Sequence, residues 1–205
     1  MRSVIDMAME VLVDLARGGA GPQAVRHPLG FFCLPVVRQD GFGICVHGWD
    51  AEREPVEAPP HSHSWDLTSH VLYGTVVNVR FDVADEPPDA DSPPDATGRL
   101  YLVDSHRDHD ELRATPRAVR WTVQDRRVMG PGDEYTLAAG EFHTTAVRLG
   151  TAAATVVVAR TIPDTRDLIV AAGAGTSYEV VRPRCTPAET AALARLMLDN
   201  RSVLL

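Results

Sequence analysis

Near the start of the chain, Val4, Ile5, Met7, Ala8, Val11, Leu12 and Leu15 recur at helical spacing, which predicts a helix over 3–17. Gly18-Gly19 and Gly21-Pro22 then stop it. From Gly30 to about Arg182 the pattern changes to short β-branched and aromatic runs between Gly, Pro and Asp turns. That is an all-β pattern. The runs predict strands at 30–38, 42–49, 67–82, 99–104, 116–123, 125–129, 134–138, 142–149, 152–161 and 176–182. A second helix is expected over 187–199, with Thr186 as cap, Pro187 in the first turn, and Ala191, Leu193, Leu196 and Met197 on its buried face. Residues 84–97 hold four Pro and five acidic side chains and no large apolar residue. Such a segment buries too little surface to order itself, so it reads as a mobile loop. No internal repeat interrupts this plan. A chain of 205 residues fits one domain, with a β-barrel over 28–183 between the two helices.

Composition narrows the functional classes. The formal charge of -8 disfavours a nucleic-acid or anionic-membrane surface, which wants basic clusters. No run of 18 apolar residues suggests a membrane span. The acidic Asp6 and the missing apolar core near the start argue against a signal peptide. Cys33, Cys45 and Cys185 are scattered, which suggests reduced thiols in a cytoplasmic protein. Cys33 and Cys45 read as small core residues rather than a disulfide.

The chemistry concentrates in Pro60-His61-Ser62-His63-Ser64-Trp65-Asp66-Leu67. On an extended strand, His61 and His63 point to one face, because side chains alternate with period two. Two imidazoles on one face can hold a divalent metal if a third ligand arrives from elsewhere. His143, at the end of the stretch that begins at Gly132, offers it. Trp65, Ser69, Val71 and Tyr73 share the histidines' parity and should face the same interior. His70 has the opposite parity and should face away. His106 and His109 sit among Arg and Asp and read as a solvated loop rather than a second metal site.

These residues resemble the paired motifs of the cupin superfamily. His61, His63 and Gly74 match the first motif, and Gly132, Gly140 and His143 match the second. Pro55, Leu67, Ala138 and Val147 depart from it; Leu67 stands where the family usually has a metal-binding Glu. The resemblance implies a double-stranded β-helix, a jelly-roll barrel with short terminal helices, and a metal inside its mouth. Asp66 or Glu141 would be the carboxylate to replace the missing Glu.

A three-His set resembles the thiol dioxygenases of the cysteine dioxygenase type. Arg38 ends a strand where those proteins hold a substrate carboxylate, and Trp49 ends the next strand before the histidines. Their Ser-His-Tyr relay is replaced here by Val156-Val157-Val158-Ala159-Arg160, and Thr68 is nearest to the place of their cross-linking Cys. The resemblance implies one Fe(II) on His61, His63 and His143, with oxygen and a small acidic or thiol-bearing substrate as partners. Arg38, Trp65, Tyr73 and Arg160 are the candidate substrate contacts, and Glu141 the candidate catalytic base. A redox-neutral lyase, isomerase or cyclase using Zn, Ni or Mn stays open, with Glu141 or Tyr73 moving a proton. So do a non-catalytic binding module and a homodimer.

Overall fold

The computed structural model describes residues 3–52, 58–86, 97–171 and 176–202. Among the described residues, two helices flank thirteen strands: α1 (Val4–Ala16), β1 (Val25–Arg26), β2 (Phe32–Gln39), β3 (Phe42–Trp49), β4 (His61–Ser62), β5 (Trp65–Tyr73), β6 (Val76–Asp85), β7 (Thr97–Ser105), β8 (His109–Met129), β9 (Glu134–Leu137), β10 (Phe142–Val147), β11 (Ala153–Thr161), β12 (Leu168–Ala171), β13 (Tyr178–Val181) and α2 (Pro187–Ser202). The strands form two antiparallel sheets. One has the order β1-β2-β3-β11-β5-β9 and the other β13-β8-β6-β10-β4-β12-β7. β7 also pairs with β8, so the second sheet returns on itself. This is the expected all-β jelly roll with a helix at each end.

α2 starts at Pro187 behind Thr186, as the sequence predicts, and α1 starts at Val4, one residue inside the predicted 3–17. Ser3 caps α1 and exchanges hydrogen bonds with Asp6, and Thr186 and Glu189 do the same for α2. The helices pack on each other and on the outer face of the first sheet. Ala8, Leu12 and Leu15 of α1 join Ala194 and Met197 of α2 over Phe32, Leu34, Ile44, Val46, Ala154 and Val156. The side-chain-free Gly48 lets the end of Met197 press onto β3. Leu196, expected on the buried face of α2, is exposed; the buried stripe is Thr190, Ala194 and Met197.

Along β3, Ile44, Val46 and Gly48 are buried, while Cys45, His47 and Trp49 alternate with them and face the interior between the sheets. One strand therefore serves the helix-side core with one face and the interior with the other.

Three strand assignments change. The run 67–82 is two strands joined by a turn at Gly74, which adopts φ 75°. The runs 116–123 and 125–129 are one strand that begins at His109; Gln124 is an extra residue, because Arg80 pairs with Asp125 and Phe81 with Val123. β12 is too short to stand out in the sequence. Most of the loop expected at 84–97 lies outside the described residues, and its ends belong to β6 and β7. Among the described residues no helix is long and apolar enough to cross a membrane.

Candidate metal centre

His61 and His143 come from distant parts of the chain and meet as direct partners across β4 and β10. β4 ends at Ser62, and the chain then crosses to the other sheet, where β5 begins at Trp65. His63 sits at this crossing. The donor nitrogens of His61, His63 and His143 all lie within 4.8 Å of one another. The ring centroids of His61 and His143 are 4.4 Å apart, and each is 5.1 Å from His63.

Burial makes this triad a set of neutral donors. Desolvation holds His61 down to about 4 and holds His63 and His143 well below the usual imidazole range. The neighbouring imidazoles push the same way for His63 and His143. Nδ1 of His61 lies 3.0 Å from the Pro59 carbonyl. Donating its proton there leaves Nε2 with a free lone pair. Nδ1 of His143 is buried without a hydrogen-bond partner. A buried polar nitrogen costs free energy when it is left unpaired, although the Glu141 backbone favours the protonated form of the same ring. A divalent metal answers that need, and the donor set fits one.

The triad opens into a cavity of about 460 Å³ between the sheets. Trp65 lines it and stacks on His63, with centroids 3.9 Å apart at 20°. Leu67 faces it too, packed with Leu137 and Val157, so no carboxylate occupies the position of the missing Glu. Arg38 lines the cavity at the exposed end of β2. Its charge reaches Cys33 and Cys45, both on the cavity wall.

Other candidates lie elsewhere. Tyr73 does not face the cavity. It packs in the helix-side core, because the pairing of β5 with β11 shifts between Ala154 and Thr155 and reverses the parity at that end. Arg160 is exposed on the outer face of β11, whose Val157, Ala159 and Thr161 line the cavity. Glu141 accepts a hydrogen bond from the Ala138 amide at 2.6 Å and pairs with Arg80 at 3.4 Å. It holds the turn before His143 and is not on the cavity wall. Asp66 accepts from the Ala139 amide at 2.8 Å and is exposed. His70 pairs with Glu134 on the outer face at 3.0 Å. His106 and His109 stack beside a tight turn, and His109 pairs with Asp108.

The structure adds residues to the cavity beyond the proposed ligands and anchors. His27, His47 and Tyr135 line the cavity. Burial lowers His27 well below the usual range. Burial also raises the Tyr135 phenol, and the nearby Ser69 and Thr145 side chains offset part of that rise. Tyr135 lies between Gly132 and His143 on a strand-like run, so its alternation with Leu137 was a usable signal. His27 precedes the first long strand, and no local pattern marks it.

No family model matches the chain, and no curated protein matches it. Similarity to solved structures is confined to strand layout. The polyketide cyclase RemF from Streptomyces resistomycificus shows 16% identity and a TM-score of 0.44 over 75% of this chain and 83% of its own. A sugar phosphate isomerase of the cupin superfamily from Silicibacter pomeroyi shows 17% identity and a TM-score of 0.41 over 74% and 76%. The DMSP lyase DddQ from Ruegeria pomeroyi shows 15% identity and a TM-score of 0.36; 67% of this chain matches, spanning 50% of that one. At these levels the similarities carry no activity across.

Proposed function

We propose that this chain is a metal-dependent enzyme in which His61, His63 and His143 hold one divalent ion. We further propose that it is a mononuclear iron(II) dioxygenase acting on a small acidic or thiol-bearing substrate. The observation that supports this reading best is the all-imidazole donor set facing a cavity, with Leu67 where a carboxylate would otherwise stand. Three neutral ligands leave the ion its full double charge and open positions, which favours an anionic substrate. Iron, when bound, supplies the redox chemistry with oxygen.

The protein's own groups do the rest. The Pro59 carbonyl fixes the ring of His61, and Trp65 stacks on His63. Phe31, Phe42 and Trp49 give part of the wall an apolar surface that disfavours competing water, while Asp110, Asp167 and Arg182 line another part. Arg38 at the mouth can grip a carboxylate through two parallel hydrogen bonds.

A redox-neutral lyase, isomerase or cyclase is the second reading, and Tyr135 favours it. Its phenol lies in the cavity and stays protonated at neutral pH, a group that can give up a proton to a substrate.

Metal analysis of untagged protein, paired with oxygen-uptake screening of small thiol carboxylates, tests the proposal. His61→Ala and His143→Ala should each lose one equivalent of bound iron relative to wild type while near-ultraviolet circular dichroism is unchanged. If both variants keep all the wild-type metal, the triad is not the site. Turnover that persists without oxygen selects the redox-neutral reading.

A further inference from the structure

A second donor cluster faces the same cavity. Cys33 on β2 pairs directly with His47 on β3, and Cys45 lies two residues before His47 on the same face. Phe32, Leu34, Ile44 and Val46, the residues between, point the other way into the helix-side core. The alternation that builds that core thus delivers two sulfurs and one imidazole to the cavity wall. The two Sγ atoms and a nitrogen of His47 lie within 4.8 Å of one another.

From this arrangement we propose a second metal site, formed by Cys33, Cys45 and His47, that takes a single thiophilic ion: zinc(II), or copper(I) in its place.

The donor chemistry separates this cluster from the three-His site. Two thiolates and one imidazole are a soft set that selects zinc or copper(I), whereas the all-nitrogen triad suits iron, nickel or zinc alike. Two thiolates cancel the charge of zinc(II), so the site is neutral. Neutrality suits a wall where Phe31 lies 4.4 Å from His47 and 5.5 Å from Trp49, ring centre to ring centre. The same packing holds the His47 ring in place. Three protein ligands leave one tetrahedral position, and the cavity lies in front of it. The ion would therefore meet whatever molecule enters the cavity, beside Arg38.

A disulfide is the competing use of two nearby cysteines, and the register disfavours it. Cys33 faces His47 and Cys45 faces Pro35, so the two cysteines are diagonal neighbours. Diagonal neighbours on paired strands stand roughly 7–8 Å apart, and their Cβ atoms somewhat closer. A disulfide needs roughly 3.5–4.5 Å. Two thiolates bound tetrahedrally at about 2.3 Å from one ion are about 3.8 Å apart, within the 4.8 Å limit that the two Sγ atoms already meet. Both cysteines are free thiols.

The test uses the full untagged chain, stripped of metal by a chelator under reducing, oxygen-free conditions, then titrated with zinc(II) and with cobalt(II) as a spectroscopic stand-in. Wild type should bind two equivalents and show a thiolate-to-cobalt charge-transfer band in the near ultraviolet. Cys33→Ser, Cys45→Ser and His47→Ala should each bind one equivalent fewer, and both serine variants should weaken or lose the band. His61→Ala should lose the other equivalent and keep the band, so failure of the three-His reading shows separately. Cys33 is buried; if its variant does not fold, the half-buried Cys45 and His47 carry the test. A wild type without the band, or a band unchanged in Cys45→Ser, overturns the proposal. So does a mass lower by two hydrogens in protein that takes up no zinc at this cluster, which would show the pair to be a disulfide.

Discussion

Arg38 and Arg160 show how one residue's placement decides a role. Both were candidate anchors for a substrate carboxylate. Arg38 reaches the cavity mouth from the end of β2, while Arg160 points away from the cavity on β11. Under the proposed function, Arg38→Ala removes both prongs of the guanidinium and should weaken binding of a small thiol carboxylate by roughly ten- to a hundredfold or more, since one charge-assisted hydrogen bond alone contributes about 1.5–3 kcal/mol. Arg38→Lys keeps the charge but loses the planar fork, so it should rescue only in part. Arg160→Ala should leave binding unchanged. Titration calorimetry of the three variants checks this, and a loss confined to Arg160→Ala would move the anchor. The same lesson holds for Glu141. The hydrogen bond to the Ala138 amide and the Arg80 ion pair commit its carboxylate to the turn, away from the cavity.

At the scale of elements, the turn between β5 and β6 sets where both strands begin and end. Gly74 adopts φ 75°, and a Cβ there would run into the Ala152 carbonyl oxygen and lie 2.7 Å from the Ala153 Cα. Gly74→Ala should therefore combine backbone strain with a backbone clash and destabilise by more than about 2 kcal/mol. Gly132 has φ 86° but open space around it, so Gly132→Ala should cost only the strain of about 1–2 kcal/mol. Urea unfolding of the two variants compares them directly; equal losses would refute the clash.

The start of α2 gives a pH-dependent counterpart. Hydrogen bonds from the Thr186 backbone and side chain, then from Arg26, draw Glu189 down to about 2. A carboxylate whose folded pKa is depressed stabilises the fold above its unfolded value and loses that contribution as pH falls toward the folded one. The window runs from about 4.5 down to about 2. Glu189→Gln should be less stable than wild type at neutral pH and should lose less stability across that window. Melting curves at several pH values would show parallel slopes if the cap contributed nothing.

For the molecule as a whole, stability and chemistry lie on opposite faces of one sheet. The helices and the outer face of β2, β3 and β11 make the largest apolar cluster, and the inner face of the same strands lines the cavity. Leu12→Ala, at a side chain 1% exposed, should cost about 2–5 kcal/mol through lost burial and a cavity. Metal stoichiometry below the melting transition should be unchanged, since α1 packs on the far face of the wall strands and none of its residues lines the cavity. Metal lost together with stability, while the protein is still folded, would show that the two faces are coupled.

What the sequence determined follows from periodicity and local chemistry. The helix over Val4–Ala16 was readable because its apolar spacing and the glycines that end it are local. His61, His63 and His143 were readable because motif spacing needs no knowledge of partners, and they do converge. Alternation along a strand gives relative facing only while the strand stays regular and within one sheet. The pairing shift near Ala154 turned Tyr73 into the helix-side core, and the extra Gln124 made one strand look like two. Which residue faces which across neighbouring strands is set by register, a property of two chain segments together. That is why Cys33, Cys45 and His47, unremarkable as separate letters, become one cluster only in the folded protein.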